Sequence, residues 1–459
     1  MKAIIAAAIL GIMLMFAAIM MREKKSVVTL AIILLALLLG VNIWDLTETA
    51  ATAPQAYFNN MLRIDRYSLW FNTLMTGCTF LYLLLVGKDI AKVGNHVAEY
   101  FALIFFILCG LYILSTYSNM LMLFLGIEIL SIPQYILSGS DKKNLKSSEA
   151  SLKYFLMGAF STGILLMGIT LLYGATGSFN VASFSFLQAD TLNPLALSGI
   201  LFLVIALSFK VSAAPFHMWT PDVYDGAPTP FTAYMATIGK AAAFLAFLRL
   251  FQASFGSLGS RWMFILAIIT AATLLVGNLT AVFQQSVKRM LAYSSIAQAG
   301  FMLFAVISIN AAAWQGIIIY SVAYSVATIG IFAVLLKLKD YTYDGFNGLA
   351  KKEPLLAFVT TIFLMSLAGI PLTGGFMAKY YVLYAAVQQG QLLWLVIFGL
   401  LMAAIGVYYY FRVIIAMYFK QGNPELNSSV TIIDKVLLVI TCIIVILIGV
   451  VPQLFLINI

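Results

Sequence analysis

The stretch Ser208-Phe-Lys-Val-Ser-Ala-Ala-Pro-Phe-His-Met-Trp-Thr-Pro-Asp-Val-Tyr-Asp-Gly-Ala-Pro-Thr-Pro230 decides how the rest of the chain is read. An apolar run leads into it and carries Lys210 in its second half. Pro215 follows five residues later, then a polar Pro/Gly-rich loop, then a second apolar run with Lys240 inside it. A lysine within a helix of hydrocarbon length is costly and marks an ion path by default. A proline in such a helix removes one N–H and crowds the carbonyl four residues back, here that of Val211. Interrupted helices beside buried charge are how transporters build sites near the membrane midplane.

Composition sets the class. The 459 residues are 63% hydrophobic and 9% charged, against about 25% charged in soluble domains. The expectation is an all-α integral membrane protein with no soluble domain. The net charge of +9 is spread through short loops between apolar runs, which fits orientation in a bilayer better than nucleic-acid binding. Cys78, Cys109 and Cys442 lie far apart on apolar segments, and His96 and His217 are isolated. That pattern predicts neither a disulfide framework, nor structural zinc, nor an iron–sulfur cluster. Neither a dinucleotide-binding glycine pattern nor a P-loop is present, so no nucleotide or other cofactor is expected in this chain. The first apolar run, after Met1-Lys2, reaches Met21 and is followed by Arg22-Glu-Lys-Lys25. It reads as a retained helix, with cleavage as a signal peptide the alternative.

A hydrocarbon core about 30 Å thick needs about 20 helical residues. Fourteen transmembrane helices follow, at roughly 2–21, 26–46, 67–87, 97–117, 119–139, 150–174, 194–218, 230–254, 261–284, 289–308, 313–338, 354–385, 391–419 and 431–457. Loop charge supports the count. With both termini outside, sixteen Lys/Arg fall on the inner side (Arg22, Lys24, Lys25, Lys88, Lys92, Lys142, Lys143, Lys146, Lys288, Arg289, Lys337, Lys339, Lys351, Lys352, Lys420, Lys435). Five fall outside (Lys2, Arg63, Arg66, Arg249, Arg261), and five lie within spans (Lys153, Lys210, Lys240, Lys379, Arg412). A miscounted helix would scramble this positive-inside bias. The predicted location is a cell inner membrane, with both termini periplasmic.

Span twelve repeats the theme of span seven. It contains Ala368-Gly-Ile-Pro-Leu-Thr-Gly-Gly-Phe376 followed by Lys379. The two proline-bearing spans are five helices apart and so run in opposite directions, the mark of two inverted five-helix repeats with broken helices 7 and 12. The predicted units are 1–96 (three helices), 97–254 (first repeat), 255–419 (second, inverted repeat) and 420–459 (a final helix).

The charged residues inside the bilayer are the candidate site. Glu128, near the middle of span five, either fixes packing with a charged neighbour or belongs to a proton path coupled to Lys210. Lys210 and Lys240 lie too deep to reach the interface easily, and Lys379 shares the reading as a relay group. Two such charges about 8 Å apart interact by about 2 kcal/mol at an effective dielectric of 20, enough for a shift within the Glu128–Lys210 pair to load or unload a proton next door. Lys153 either snorkels to the inner interface or joins the path. His217 and Asp222 flank the break, as capping or loop-ordering groups or, for the histidine, as proton access. Arg412 is always charged, and is expected to hold a carboxylate or a helix end, or to reach the inner interface.

Pro215–Pro230, Lys288-Arg-Met-Leu-Ala-Tyr-Ser-Ser-Ile-Ala-Gln-Ala-Gly300 and Glu149-Ala-Ser-Leu-Lys-Tyr-Phe155 resemble the proton-pumping antiporter-like subunits of respiratory complex I, the NADH–quinone oxidoreductases, over nearly the whole chain. The resemblance implies fourteen helices with two inverted five-helix repeats and a place among the other membrane-arm subunits, next to the quinone module. NAD, FMN, iron–sulfur clusters and quinone would then be bound in partner subunits. It implies Glu128 and Lys210 as a carboxylate–lysine pair, Lys240 as the central relay lysine, Lys379 on the outer route and Lys153 on the input side. The chain stops soon after span fourteen, where the most distal member of the family continues into a long lateral helix, so that member is not expected. The rival readings are a subunit of a multi-subunit sodium/proton antiporter, a hydrogenase-linked membrane subunit, a hydrophobic spacer without a pumping role, and a solute permease.

Overall fold

A long apolar run in lipid must satisfy its own N–H and C=O groups, and an α-helix does so within one segment. The structure, a computed structural model, describes residues 1–21, 23–49, 54–186, 193–254, 260–427 and 430–456. Among them, twelve helices are long and apolar enough to cross a membrane. In the N-terminal unit these are α1 (Lys2–Met20), α2 (Lys24–Thr49) and α3 (Arg66–Val93). Between α2 and α3 lies a hairpin of β1 (Gln55–Tyr57) and β2 (Leu62–Ile64), paired antiparallel with Gln55 opposite Ile64. Next come α4 (Val97–Thr116), α5 (Met120–Ser138), α6 (Leu145–Thr176), α7 (Pro194–Lys210) and the short α8 (Trp219–Gly226). The following crossing is composite: α9 (Thr229–Tyr234), a single π-helical turn at Met235–Gly239, and α10 (Lys240–Ser254).

The second half holds α11 (Ser260–Val282), α12 (Val287–Ser308), α13 (Ala311–Leu335), the one-turn α14 (Leu349–Lys352), α15 (Pro354–Ala368), α16 (Gly374–Gln388), α17 (Leu393–Phe419) and α18 (Ile432–Val450). Side-chain caps set many of the starts. Asp65 and Thr431 form capping boxes, and Asn119, Asn144, Asn193, Ser286 and Asn310 each accept a backbone N–H of the first turn. Adding α7 and the α15–α16 pair to the twelve long helices gives the fourteen passages expected from the sequence, within a few residues at most ends.

The two predicted breaks differ in kind. Span twelve is interrupted where its Gly/Pro cluster lies: α15 ends at Ala368, Gly369 (φ +87°) and Leu372 (φ +69°) turn the chain, and α16 starts at Gly374. Span seven is broken as well, but before its proline rather than at it, and the span ends short of the expected 218. Here α7 stops at Lys210, Ser212 is left-handed (φ +64°), and residues 211–218 form turns before α8. Proline disfavours the helical region for the residue before it and lacks the N–H that Val211 would need, so the helix ends a turn early. Lys210 is therefore the last helical residue. A further proline, Pro133, sits inside α5 without breaking it.

Burial runs opposite to that of a soluble protein. The composite helix through Lys240, α12 and α13 are buried along almost their whole length, whereas α1, α6, α17 and α18 expose large Ile, Leu, Phe and Met side chains. The loops segregate to two ends as loop charge predicted. At one end, Lys288 bonds the carbonyls of Asp225 and Ala227, Lys339 pairs with Glu425, and Lys352 holds Asn423. At the other, Lys2 pairs with Glu48, Arg249 with Asp65, and Trp314 donates to Gln252. Arg22 and the side chain of Arg261 lie outside the described residues. Neighbour relations also recur between halves: α4 packs on α5, α6 on α7 and α10 on α4, while α11 packs on α12, α13 on α15 and α16, and α17 on α11.

Candidate functional site

The site begins on α5. Glu128, Ser131 and Tyr135 are spaced three and four residues apart and so share one helix face. Glu128 is partly buried, and its Oε1 accepts from Thr162 Oγ1 on α6 at 2.7 Å. From the end of α7, Lys210 Nζ donates to Ser131 Oγ (3.1 Å) and Tyr135 OH (3.2 Å). Lys210 and Glu128 thus have separate partners and form no ion pair. The lysine binds one turn along α5 from the carboxylate, a distance of about 5 Å along the axis.

Lys240 follows the π-turn directly and is 3% exposed. Its Nζ donates to the carbonyl (3.0 Å) and hydroxyl (3.1 Å) of Ser295 on α12 and lies 5.8 Å from the centre of the Tyr224 ring. No carboxylate pairs with it among the described residues. Lys210 and Lys240 both line one small gap of about 20 Å³, together with Ser131 and Gln134.

On the far side of Lys240 a polar row continues. Gln298 is one turn along α12 from Ser295. Its amide nitrogen donates to Leu367 O (2.9 Å) and Tyr410 OH (3.1 Å), and its oxygen accepts from Tyr320 OH. Tyr410 also bonds Ser294. Leu367 O accepts a second bond, from Lys379 Nζ at 3.0 Å, and Lys379 also donates to Ala368 O at 2.8 Å. Lys379 therefore folds back from α16 onto the last carbonyls of α15, which have no partner within their own helix. Ser295, which binds Lys240, and Gln298, which shares the Leu367 carbonyl with Lys379, lie one turn apart on α12. Buried hydroxyls of Ser208, Ser212, Ser321 and Ser325 have no protein partner, which leaves polar places for bridging water.

The remaining predicted residues lie apart from this row. Lys153 reaches the charged end, pairing with Glu149 (2.7 Å) and Asp222 (3.0 Å), and Asp222 also binds Arg289 (2.9 Å). Burial alone would raise the Asp222 carboxyl, but the bonds and charges of Lys153 and Arg289 hold it below the usual carboxylate range. Of the two roles expected for Asp222, it does not cap α8; it ties α8 to α6 and α12. His217 is buried in the turn before α8, caps nothing with its side chain, and leaves Nδ1 without a partner. Arg412 takes the helix-end role, donating to the carbonyl of Val282, the last residue of α11 (3.3 Å), and to that of Gln284 just past it (3.2 Å). Two residues assigned to loops are buried clamps. Arg249 binds Asp65 and the carbonyls of Ser115, Tyr117 and Arg63. Lys337 sits between Asp89 (3.6 Å) and Asp434 (3.3 Å).

Sequence reasoning missed Ser131, Gln134, Ser295, Gln298, Tyr320 and Tyr410. Ser295 and Gln298 lie inside the Lys288–Gly300 motif, and their i, i+3 spacing was the available signal.

Residues 118–406 match the family described as NADH:quinone oxidoreductase/Mrp antiporter, TM. The chain is 41% identical to NADH-quinone oxidoreductase subunit N of Cytophaga hutchinsonii, with 99% of each chain covered. It is 36% identical to the protein of the same name from Flavobacterium psychrophilum, with 97% of each covered. Among solved structures it is similar to a chain of respiratory complex I from Thermus thermophilus with bound aureothin (TM-score 0.84, 30% identity, 98% of each chain covered). It is also similar to a chain of the membrane-bound sulfane sulfur reductase, an archaeal respiratory membrane complex (TM-score 0.87, 25% identity, 99% of this chain and 94% of that one). A chain of the Mrp complex from Dietzia sp. shares the fold at 18% identity (TM-score 0.85, 99% of this chain and 96% of that one).

Proposed function

The chain belongs to the NADH:quinone oxidoreductase/Mrp antiporter transmembrane family, and on that premise we propose that it is subunit N of an NADH–quinone oxidoreductase. In this reading it is a proton-translocating member of the membrane arm, working beside other membrane-arm subunits in a cell inner membrane. NAD, FMN, iron–sulfur clusters and quinone act in those partners, and no electron passes through this chain. Full-length relatives at 36% and 41% identity that carry the subunit N name favour this over a sodium/proton antiporter subunit. The excess of basic residues in one set of loops supports both termini outside. The recurring neighbour relations of α4–α10 and α11–α17 support two inverted five-helix units, 97–254 and 255–419, between an N-terminal unit, 1–96, and a last helix, 420–459.

The observation that carries the mechanism is the polar row Lys210–Lys240–Ser295–Gln298–Leu367 O–Lys379 through the most buried helices of the bundle. Glu128 and Lys210 form the switch. A swing of Lys210 by one turn of α5 would take its ammonium from Ser131 and Tyr135 to Glu128. With Lys210 drawn to the carboxylate, Lys240 takes a proton from the inner end. With Lys210 back at the shared gap, its like charge disfavours that proton; two unit charges about 8 Å apart would do so by about 2 kcal/mol at an effective dielectric of 20. The proton then leaves along Ser295 and Gln298 to Lys379 and outward. Lys153 and His217 stand on the input side.

The test is Lys240→Met in the assembled complex, which keeps the bulk and removes the titrating amine. Proton pumping into membrane vesicles should fall to background in complexes that assemble and still carry electrons through the NADH-oxidising arm. Pumping at the wild-type rate would end this assignment.

A further inference from the structure

Gln134 lies on α5, one turn beyond Ser131, and is 3% exposed. Its oxygen is fixed by the Tyr154 hydroxyl on α6 at 2.8 Å. Its amide nitrogen is fully buried and has no partner among the protein's own groups. That nitrogen lies against Gly239, the last residue of the π-turn: a Cβ at Gly239 would come within 2.0 Å of it. A side chain at Gly239 would displace the amide from this position. Gln134 also lines the gap shared by Lys210 and Lys240.

An orphaned buried amide N–H is costly, so a folded protein retains one where something accepts from it. The gap supplies the place. Its volume of about 20 Å³ exceeds the roughly 10–15 Å³ that a water molecule needs, and polar groups stand on several of its walls. Lys210 spends two of its three N–H donors on Ser131 and Tyr135, and Lys240 spends two on Ser295. Each has one donor left for the gap. The π-turn adds a residue to the helix just before Lys240, and such turns recur at functional sites.

We propose that Gln134 is a positioning residue that holds a water molecule between Lys210 and Lys240, so that the switch lysine and the relay lysine communicate through that water. The proposal deepens the relay reading above and rests on it. Tyr154 fixes one end of the amide, which aims the other end at the water. The N–H donates to the water oxygen. The water's own hydrogens remain available to Ser131 Oγ and to whichever lysine is neutral. Gln134 itself gains and loses no proton.

The experiment compares Gln134→Met, Gln134→Asn, Tyr154→Phe and Lys240→Met in the whole complex, each normalised to assembled complex on native gels. The readouts are pumping rate and its solvent deuterium isotope effect. Gln134→Met removes the donor at similar volume. It should slow pumping at least fivefold and raise the isotope effect above wild type, because proton transfer across the gap becomes limiting. Gln134→Asn keeps an amide and makes room for a second water, so it should stay within about threefold of wild type. Should Gln134→Met not accumulate, Tyr154→Phe decides: loss of the hydroxyl that aims the amide should slow pumping about twofold, with a raised isotope effect. Wild-type pumping and isotope effect in Gln134→Met, or in Tyr154→Phe where it stands in, overturn the assignment. So does slowing without a change in isotope effect, which is the mark of a packing role. Lys240→Met separates the two levels. If it pumps normally, the relay itself fails; if it is dead while Gln134→Met is normal, only the water-holding role fails.

Discussion

Gln298→Leu interrupts the row between Ser295 and the Leu367 carbonyl. The substitution nearly conserves volume and removes three hydrogen bonds. Leu367 O keeps Lys379 and Tyr410 OH keeps Ser294, so the group left without a partner is Tyr320 OH. One unsatisfied buried hydroxyl costs about 1–3 kcal/mol, too little to unfold a fourteen-helix bundle. Transport suffers more. A proton between Ser295 and the Leu367 carbonyl would lose one hydrogen bond of the charge-assisted kind, about 1.5–3 kcal/mol. At tenfold per 1.36 kcal/mol, that slows passage about 10- to 150-fold. The assay is NADH-driven acidification of inverted membrane vesicles, normalised to the complex present and to NADH oxidation by an artificial acceptor. Pumping at half the wild-type rate or better would refute the claim that Lys240 and Lys379 communicate through α12.

Two further substitutions test other parts of the structure. Gly369→Ala places a methyl 2.9 Å from Lys379 Cδ and 3.1 Å from its Nζ at a position with φ +87°. Pumping per assembled complex should fall several-fold, whereas Gly390→Ala, with similar φ (+77°) and open space around its Cβ, should pump normally; equal effects would put the loss down to backbone strain. Arg249→Met removes the clamp on Asp65 and three carbonyls and should cost about 3–5 kcal/mol of stability. This should appear as a lower thermal midpoint of the complex, partly restored by adding Asp65→Asn, with pumping per surviving complex unchanged.

What the sequence reveals and what it hides follow from the strength of each signal. A charge in an apolar run is expensive enough to be legible alone, and Lys210, Lys240 and Lys379 stand out for that reason. Loop charge likewise recovered which loops share an end, because each helix reverses the chain. Neutral polar residues carry no such mark. Serines, tyrosines and glutamines recur along these helices, and nothing in Ser295 or Gln298 alone says that one faces Lys240 and the other the end of α15. Arg249 and Lys337 show the opposite error. Near a span's end, a basic residue bound for water and one bound for a buried carboxylate look alike, and only the packing of distant helices, α3 and α10 or α13 and α18, tells them apart.

The three lysines share a feature that spacing could not supply: each sits where a helix is interrupted. Lys210 ends α7, Lys240 follows the π-turn, and Lys379 reaches back across the break between α15 and α16. The last carbonyls of a helix have no N–H partner and carry the negative end of its dipole. An ammonium placed on them gains about 0.3–2 kcal/mol that an unbroken helix does not offer. Gly369 and Pro371 therefore do more than kink a rod. By ending α15 within the bundle they expose the carbonyls of Leu367 and Ala368, which accept the N–H donors of Lys379. Because Leu367 O is also the acceptor for Gln298, the group that steadies the charge on Lys379 is the same group that ties it to the rest of the row. A repaired helix, with the turn at 369–373 made continuous, would remove both at once.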